Sequence, residues 1–246
     1  MELNFYKPKN LSEILKENPS CKWQYADYEP DLEVFETNLN LLKYFVLPNL
    51  MNQTNQNYKC FITYNWQLDA LFKHFLSEFG KIPDHIELIP KEGPGEKRIL
   101  PSIIKNYIDS ISVNEKDTLA FVKWDSHFLY GLNLVKALHQ YQALHKERVL
   151  LFNDGCLYQL GSGRLLQENL PPFSGFIFLC SPGEYQKYFS VYDQIHGFAR
   201  GLFDQFPHGI LQSVPYMLLT DENHFSGVDT LSPNVQTTLK KFIKIV

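Results

Sequence analysis

The sequence predicts an α/β protein whose mixed sheet is parallel in its first half, with helices on both faces, and gains antiparallel strands in its second half. Strand-like runs alternate with amphipathic helical segments up to residue 147, which is typical of parallel strands joined by covering helices. After residue 147 this alternation stops, and the apolar runs within residues 148–169 are joined by a glycine-rich turn, as in an antiparallel hairpin. The 246 residues are 44% hydrophobic and 15% aromatic, a globular composition with an aromatic-rich core. The length permits one large domain or two small ones, and a chain of this size can bury a substantial core.

The first strand and the first covering helix are predicted within residues 58–80. The run "YKCFITYN" at 58–65 is rich in aromatic and β-branched residues, which favours a strand. The next segment indicates a helix because its large apolar residues recur at three- and four-residue spacing, and Gly80 is expected to end that helix. The apolar face comprises Leu68, Leu71, Phe72, Phe75, Leu76 and Phe79.

A second strand is predicted at "HIELIP", residues 85–90, closed by Pro90. The polar, glycine- and proline-rich segment "KEGPGEKR" at 91–98 is the best candidate for a mobile loop. The elements expected next are a helix at 100–111, a strand at 118–124 and a long amphipathic helix at 128–147.

The second half of the chain begins with "RVLLFNDGCLYQLGSGRLLQEN", residues 148–169. This segment resembles two strands joined by a turn at Gly161-Ser162-Gly163, which predicts an antiparallel hairpin. The remaining predicted elements are strands within 173–181 and 216–220 and a terminal helix at 232–246 opened by Ser232-Pro233.

Charge and cysteine spacing argue against several classes of protein. The formal net charge is −4, so no global positive field attracts nucleic acid, and we expect no nucleic-acid partner. The four cysteines form no CxxC pair and no zinc-finger spacing, which favours reduced thiols in a cytoplasmic protein. The N-terminus lacks the apolar core of a signal peptide, and no apolar run approaches the roughly 20 residues of a membrane span. Peripheral association with the inner face of a membrane stays open.

The stretch "TLAFVKWDSHFLYG" at 118–131 carries the most chemistry, because its apolar strand ends on Asp125 and His127. Ligands bind open α/β sheets at the carboxyl ends of strands, and side chains two residues apart on an extended backbone point the same way. One carboxylate and one imidazole suit Mn²⁺ or Mg²⁺ when phosphate and water fill the other positions. Alternatively, Asp125 caps the following helix and His127 is a partly buried ring.

A second polar segment, "TDENHFSG", follows the strand predicted at 216–220. Its His224 is a candidate for the third metal ligand, and Asp221 is the second choice. No HExxH zinc motif, P-loop, GxGxxG or GxSxG motif is present, so zinc hydrolysis, P-loop chemistry and serine hydrolysis lack a signature.

Several stretches within residues 35–227 together resemble bacterial rhamnosyltransferase-like glycosyltransferases of the GT-A type. Asp125 and His127 fall on that family's Asp-x-Asp signature, and the segments at 155–178, 191–197 and 215–227 are similar to its later segments. The family's opening helix, which ends in an "LPS" or "LPN" step before a "QT" and a strand, is matched by Phe45, Leu47, Pro48, Asn49, Gln53, Thr54, Tyr58 and the strand at 60–64.

The resemblance implies a single GT-A-like domain over residues 1–246 with a Rossmann-type sheet. About residues 20–147 would bind a nucleotide-sugar donor, and about 148–246 would bind the acceptor, a surface glycan or lipid-linked glycan. A metal, Mn²⁺ or Mg²⁺, would lie at the junction of the two halves.

The resemblance also implies roles for individual residues. Asp125 would contact the metal or the ribose, His127 would bind the metal, and His224 or Asp221 would complete the coordination. Inverting sugar transfer also needs a carboxylate base, for which Glu184 is slightly preferred. The further candidates are Asp154 and Asp221 for the base, and Trp124, Lys123, Tyr64 and Asn65 for donor binding.

Two departures from the family pattern keep other functions open. The second acidic position is His127, and the family's late His-Gly-x-Asn is replaced by the residues from Asp221 to His224. A relative that binds nucleotide or carbohydrate without catalysis is therefore the alternative. A metal-dependent hydrolase that uses the Asp/His pair is a third hypothesis.

Overall fold

The structure is a computed structural model that describes residues 32–65, 69–77, 80–91, 99–122, 127–141, 149–152, 154–160, 164–167, 176–186, 208–211, 214–220 and 238–242. The chain divides into two compact units. Unit 1 takes Met1–Phe45 and Lys59–Leu100, and unit 2 takes Val46–Tyr58 and Pro101–Val246. The predicted donor and acceptor halves are functional assignments that this division does not test, so they stay predictions.

The described chain begins with helical residues that run from Leu32 to Met51. Helix α1 spans Leu32–Leu41, a π-helical turn follows at Leu42–Val46, and α2 spans Leu47–Met51. Pro48 lies in the first turn of α2, where a missing backbone N–H costs little. The resemblance implied a helix that ends at Pro48–Asn49, whereas the helix continues to Met51 because proline is tolerated in a first turn.

The core of unit 1 is a strand–helix–strand motif, as predicted. β1 (Cys60–Asn65) and β2 (Ile86–Lys91) pair in parallel, and α3 (Asp69–Ser77) connects them. Phe72 and Leu76 of α3 are buried, in agreement with the predicted apolar face. Gly80 has a φ of +76°, the left-handed conformation that favours glycine just after a helix.

Proline 90 does not close the second strand, in contrast to the prediction. It lies within β2 opposite Tyr64, and the strand continues to Lys91. Within the described residues β2 pairs with β1 alone, and a proline is tolerated on an edge strand because its missing N–H faces away from the partner.

Helix α4 (Ile99–Ser110) agrees with the helix predicted at 100–111.

Unit 2 contains two four-stranded sheets in the described chain. The strands of the first sheet are β3 (Leu119–Val122), β5 (Val149–Phe152), β8 (Phe176–Cys180) and β9 (His208–Leu211). They lie in the order β3-β8-β5-β9, with antiparallel, antiparallel and parallel pairings.

The second sheet has the order β4-β10-β6-β7, with antiparallel, parallel and antiparallel pairings. Gln159 pairs with Arg164 across the β6–β7 hairpin, which confirms the hairpin predicted around residues 161–163. The strands of this sheet are β4 (Phe128–Tyr130), β6 (Gly155–Gln159), β7 (Arg164–Gln167) and β10 (Tyr216–Thr220).

The mixed α/β class is confirmed, but the expected parallel first half is wrong beyond β2. β3 pairs antiparallel with β8, a strand from the second half of the chain. The long helix predicted from Phe128 is also wrong at its start, because Phe128–Tyr130 forms β4 and α5 begins only at Leu134 and ends at Gln140. Pairing of β4 with β10 and a Gly131 N–H bond to the Pro215 carbonyl (2.8 Å) override the local helical periodicity.

One apolar stretch of the sequence supplies strands to both sheets. β5 belongs to the first sheet and β6 to the second, so the chain changes sheets at residues 153–154. Side chains of both sheets form one buried cluster. In this cluster the ring centroid of Phe152 lies 4.9 Å from that of Tyr130, on which it stacks, and 6.0 Å from that of Tyr216. The cluster therefore holds the two sheets of unit 2 together.

Near the C-terminus, Thr238–Phe242 is helical or turn, with Leu239 and Phe242 buried. The predicted start of the terminal helix at Ser232-Pro233 lies outside the described residues. The predicted loop at 91–98 also does, except for Lys91, which belongs to β2.

Gly155→Ala is expected to lower the free energy of unfolding by about 2–3 kcal/mol, because a Cβ at this position overlaps the buried ring of Tyr216. Gly183→Ala is the matched control, since a Cβ there meets nothing within 4 Å, and should stay within about 0.5 kcal/mol. Urea unfolding of each variant measures the effect. In a Tyr216→Leu background the cost of Gly155→Ala should shrink, and an undiminished cost would contradict the overlap.

Candidate functional site

His127 lies immediately before β4 and is half-buried. Its carbonyl oxygen accepts a hydrogen bond from the Leu219 N–H at 2.8 Å. Phe128 pairs with Leu218 in the antiparallel register, so this bond continues the pairing of β4 and β10 by one residue. The entry to β4 and the exit from β10 therefore lie at the same end of the second sheet.

The two segments that were predicted to supply metal ligands are attached to these two strand ends. Asp125 precedes His127 by two residues, and Asp221 directly follows Thr220, the last residue of β10. His224 follows Thr220 by four residues, so the chain keeps it within about 14 Å of that strand end. Lys123, Trp124, Asp125, Asp221 and His224 themselves lie outside the described residues.

The same end of the sheet includes the β6–β7 hairpin. Thr220 pairs with Gln159, the last residue of β6, and Gln159 pairs with Arg164, the first residue of β7. Neighbouring strands lie about 4.8 Å apart, so the Arg164 backbone is about 10 Å from that of Thr220.

By residue type, the predicted ligands Asp125, His127 and His224 suit a divalent metal. Carboxylate, phosphate and water oxygens suit Mn²⁺ and Mg²⁺ alike, and the two imidazoles favour Mn²⁺ of these two. Within the part of the chain that the structure describes, no group of three or more His, Cys, Asp or Glu side chains could hold a metal. The described residues contain one member of the set, His127.

Glu184, the slightly preferred base, lies at the end of the first sheet opposite to Val122, the last residue of β3. It belongs to a short 3₁₀ turn, Pro182–Glu184, after β8, and Cys180 at the end of β8 pairs with Leu119 at the start of β3. The length of β8, about 13 Å, therefore separates the Glu184 turn from the end of the sheet at which β3 ends.

The Glu184 carboxylate also has a local structural partner. Its Oε2 accepts a hydrogen bond from the Ser181 hydroxyl at 3.1 Å, and its N–H donates to the Ser181 carbonyl at 2.9 Å. This Ser-x-x-Glu arrangement stabilises the turn after β8.

Asp154, another candidate base, is exposed at the corner between β5 and β6. Its carbonyl accepts a hydrogen bond from the N–H of Tyr216, the first residue of β10, at 2.9 Å. The five residues of β10 span about 13 Å, so Asp154 lies at the opposite end of the second sheet from His127. Of the three candidate bases, Asp221 alone is attached to the strand end beside His127.

Tyr64 and Asn65 end β1 in unit 1. The Tyr64 hydroxyl donates to Asp69 Oδ1 at 2.5 Å, and its ring stacks on Phe72 with centroids 4.1 Å apart. Burial raises the pKa of Tyr64, and the Asp69 carboxylate raises it further. The hydroxyl and one ring face of Tyr64 are therefore used in the packing of α3 against β1. The Asn65 backbone pairs with Lys91 at the carboxyl ends of both strands, the usual ligand end of a parallel sheet.

No structural role was predicted from the sequence for Asn49 and Gln53. Both residues were named there only because they match the opening segment of the family that the chain resembles. Both are buried and hydrogen-bonded to the segment that follows β4. The signal was present, because two carboxamides four residues apart within the largely apolar run "FVLPNLMNQ" are expected on one face of a helix.

The chain has no match among protein-family models, curated proteins or solved structures. None of the described helices is long and apolar enough to pass through a bilayer. The resemblance to GT-A glycosyltransferases therefore stays a prediction that rests on the residues quoted for it.

Tyr64→Phe should raise the pKa of Asp69 toward its ordinary value. Hydrogen bonds from Lys73 and Tyr64 lower this pKa, with Lys73 the larger cause, and the variant removes the Tyr64 bond. Because the folded-state pKa is lowered, the ionised carboxylate stabilises the fold above about pH 4, and this contribution is lost as the pH falls. Carboxyl-detected NMR titration of Asp69 measures the change.

The matched control is Lys81→Met, which removes an exposed lysine that pairs with Asp84 at 3.8 Å. It should leave the pKa of Asp69 in place. An Asp69 pKa that is the same in Tyr64→Phe and in the unsubstituted chain would show that the tyrosine hydroxyl does not act on it.

Proposed function

We propose that the protein is a metal-dependent glycosyltransferase of the GT-A type. It transfers a sugar from a nucleotide-sugar donor to a surface-glycan acceptor, free or lipid-linked, at the cytoplasmic face of a membrane, in the manner of rhamnosyltransferase-like enzymes. The observation that carries the proposal is the hydrogen bond from the Leu219 N–H to the His127 carbonyl. It supports a shared site because both polar segments then leave the sheet at one end.

The donor diphosphate binds at this end of the second sheet. Asp125, His127 and His224 would hold Mn²⁺, which would supply positive charge for the leaving nucleoside diphosphate. Lys123 and Trp124 contact the donor from the same segment as Asp125. Tyr64 and Asn65 are donor-binding candidates at the carboxyl end of the parallel pair in unit 1.

Asp221 acts as the general base that removes the proton from the attacking acceptor hydroxyl. A base has to lie within hydrogen-bond reach of that proton, close to the sugar carbon that the metal-bound diphosphate leaves. Chain connectivity supports Asp221, because it directly follows β10 beside His127. Asp154 lies at the start of β10, about 13 Å along that strand from its His127 end, which argues against Asp154 as the base. The Glu184 carboxylate accepts a hydrogen bond from Ser181 in the turn after β8, which argues for a structural role of Glu184.

We expect Mn²⁺ together with a nucleoside diphosphate to raise the melting temperature, and the nucleotide without metal to have little effect. His127→Ala and Asp125→Ala should weaken Mn²⁺ binding by about 100-fold or more. Substitution of a residue that only hydrogen-bonds to a metal ligand typically already lowers metal affinity 10- to 100-fold. Isothermal titration calorimetry with Mn²⁺ measures the affinity.

His139→Ala is the matched control for these variants. His139 is an exposed histidine of α5 whose ring nitrogen contacts the Asn57 carbonyl at 3.0 Å, so its removal should leave Mn²⁺ affinity unchanged. Nucleotide binding that ignores the metal would favour the non-catalytic relative. Tight zinc binding without nucleotide would favour the hydrolase.

Asp221→Asn should lower turnover of the donor by at least about 100-fold while Mn²⁺ and nucleotide affinity stay near those of the unsubstituted chain, because general base catalysis typically contributes 10²–10⁴. Glu184→Gln and Asp154→Asn are the controls and should retain turnover within about twofold. Release of nucleoside diphosphate from a panel of nucleotide-sugars with Mn²⁺ provides the assay. A loss confined to Glu184→Gln would reverse the assignment of the base.

A further inference from the structure

The side chain of Asn49 is completely buried. Its Nδ2 donates to the Tyr130 carbonyl at 2.7 Å, and its Oδ1 accepts from the Tyr130 N–H at 3.3 Å. β4 is an edge strand of the described second sheet, with β10 on its other side. The Asn49 carboxamide therefore pairs with both backbone groups of Tyr130, as a neighbouring strand would.

Gln53 lies four residues further along the chain, just after the C-cap of α2, and is 3% exposed. Its Nε2 donates to the Gly131 carbonyl at 3.2 Å, and its Oε1 accepts from the Val135 N–H at 3.3 Å. Val135 is in the first turn of α5, whose N-cap residue Asn133 makes no capping side-chain bond. Gln53 thus satisfies a helix N-terminal N–H from a distant part of the chain.

Backbone bonds surround these two carboxamides, which we term the amide clamp (Asn49 and Gln53). The Thr54 N–H donates to the Leu132 carbonyl at 2.7 Å, and the Leu132 N–H donates to the Lys241 carbonyl at 2.9 Å. Asn49 Nδ2 also donates to the Phe242 carbonyl at 2.6 Å. The amide clamp therefore connects α2, the segment after β4 and the C-terminal turn.

The strand that the amide clamp holds begins beside His127. β4 has three residues, and its inner side is paired to β10 from the His127 carbonyl to the Gly131 N–H. So short a strand has few bonds of its own with which to keep its register. A buried carboxamide without its partners is costly, so Asn49 can be satisfied only when Tyr130 is in this place.

We infer that the amide clamp is a positioning element for the candidate site, because it sets the place of β4 and hence of the His127 end of that strand. The inference concerns the backbone at His127, and only its relevance to metal binding rests on the proposed function.

Hydrogen exchange tests the positioning without any ligand. The two amides to follow in Asn49→Ala are that of Tyr130 and that of Leu219, which donates to the His127 carbonyl. Their exchange should accelerate by roughly fivefold or more, because the loss of one hydrogen bond lowers the free energy of opening by an amount that corresponds to about that factor. Asn52→Ala is the matched control, because Asn52 is the C-cap of the same short helix and its Nδ2 donates to the Pro48 carbonyl of that helix at 2.7 Å. It should leave both amides unchanged.

Gln53→Ala provides a second variant in case Asn49→Ala does not fold. Gln53→Ala should accelerate exchange of the Val135 and Leu219 amides. Gln56→Ala, which removes an exposed carboxamide three residues further along the chain, should leave the exchange of both amides unchanged. The reference amides are those of Leu150 and Ile177, paired in the other sheet of unit 2. An unchanged Leu219 amide, or an equal acceleration at Leu150 and Ile177, would overturn the inference.

Mn²⁺ titration of the same variants separates the inference from the proposed function. If the unsubstituted chain binds Mn²⁺, Asn49→Ala should weaken that binding by about tenfold, within the range seen when the supports of metal ligands are removed. An unsubstituted chain that fails to bind Mn²⁺ would count against the glycosyltransferase proposal, whereas the exchange result alone would still decide the positioning role.

Discussion

The organisation of unit 2 depends on how an edge strand of three residues keeps its backbone groups paired. β10 satisfies one side of β4, and the buried carboxamide of Asn49 satisfies Tyr130 on the other side. Without these bonds the N–H and C=O of Tyr130 would be buried and unpaired, which is costly in an apolar core. The same carboxamide binds the C-terminal turn through Phe242, so one side chain links three distant parts of the chain. Asparagine is required for this role because it presents two donors and an acceptor in one plane.

The pairing of β4 with β10 also decides which polar residues share a neighbourhood. The segments that carry Asp125–His127 and Asp221–His224 are separated by about a hundred residues in sequence. They are attached to adjacent strand ends because the two strands are antiparallel neighbours. Asp154 lies at the opposite end of the second sheet, because its carbonyl accepts the hydrogen bond from the N–H at the start of β10. Strand direction therefore discriminates among carboxylates that are equivalent in composition and local context.

Elements formed by strong local patterns were predictable, and those formed by distant pairing were not. The helix face of Phe72 and Leu76, the positive φ of Gly80 and the β6–β7 hairpin follow from periodicity and turn chemistry, which act over a few residues. β4 was expected to be the start of a helix, because "FLYGLNLVKAL" has helical spacing and only β10, more than 80 residues away, makes it a strand. The direction of β3 was missed for the same reason, as its partner β8 lies in the second half of the chain.

The sequence by itself determined the mixed α/β class, most strand positions and the residue types of the candidate site, because these depend on side-chain chemistry and short-range spacing. Only the tertiary structure decided that β3 is antiparallel, that the end of β10 lies beside His127, and that Asn49 and Gln53 are structural carboxamides. Each of these depends on which strands become neighbours. That choice is made by the burial of the shared core and the pairing of buried backbone groups across the whole of unit 2, and no local window of sequence contains it.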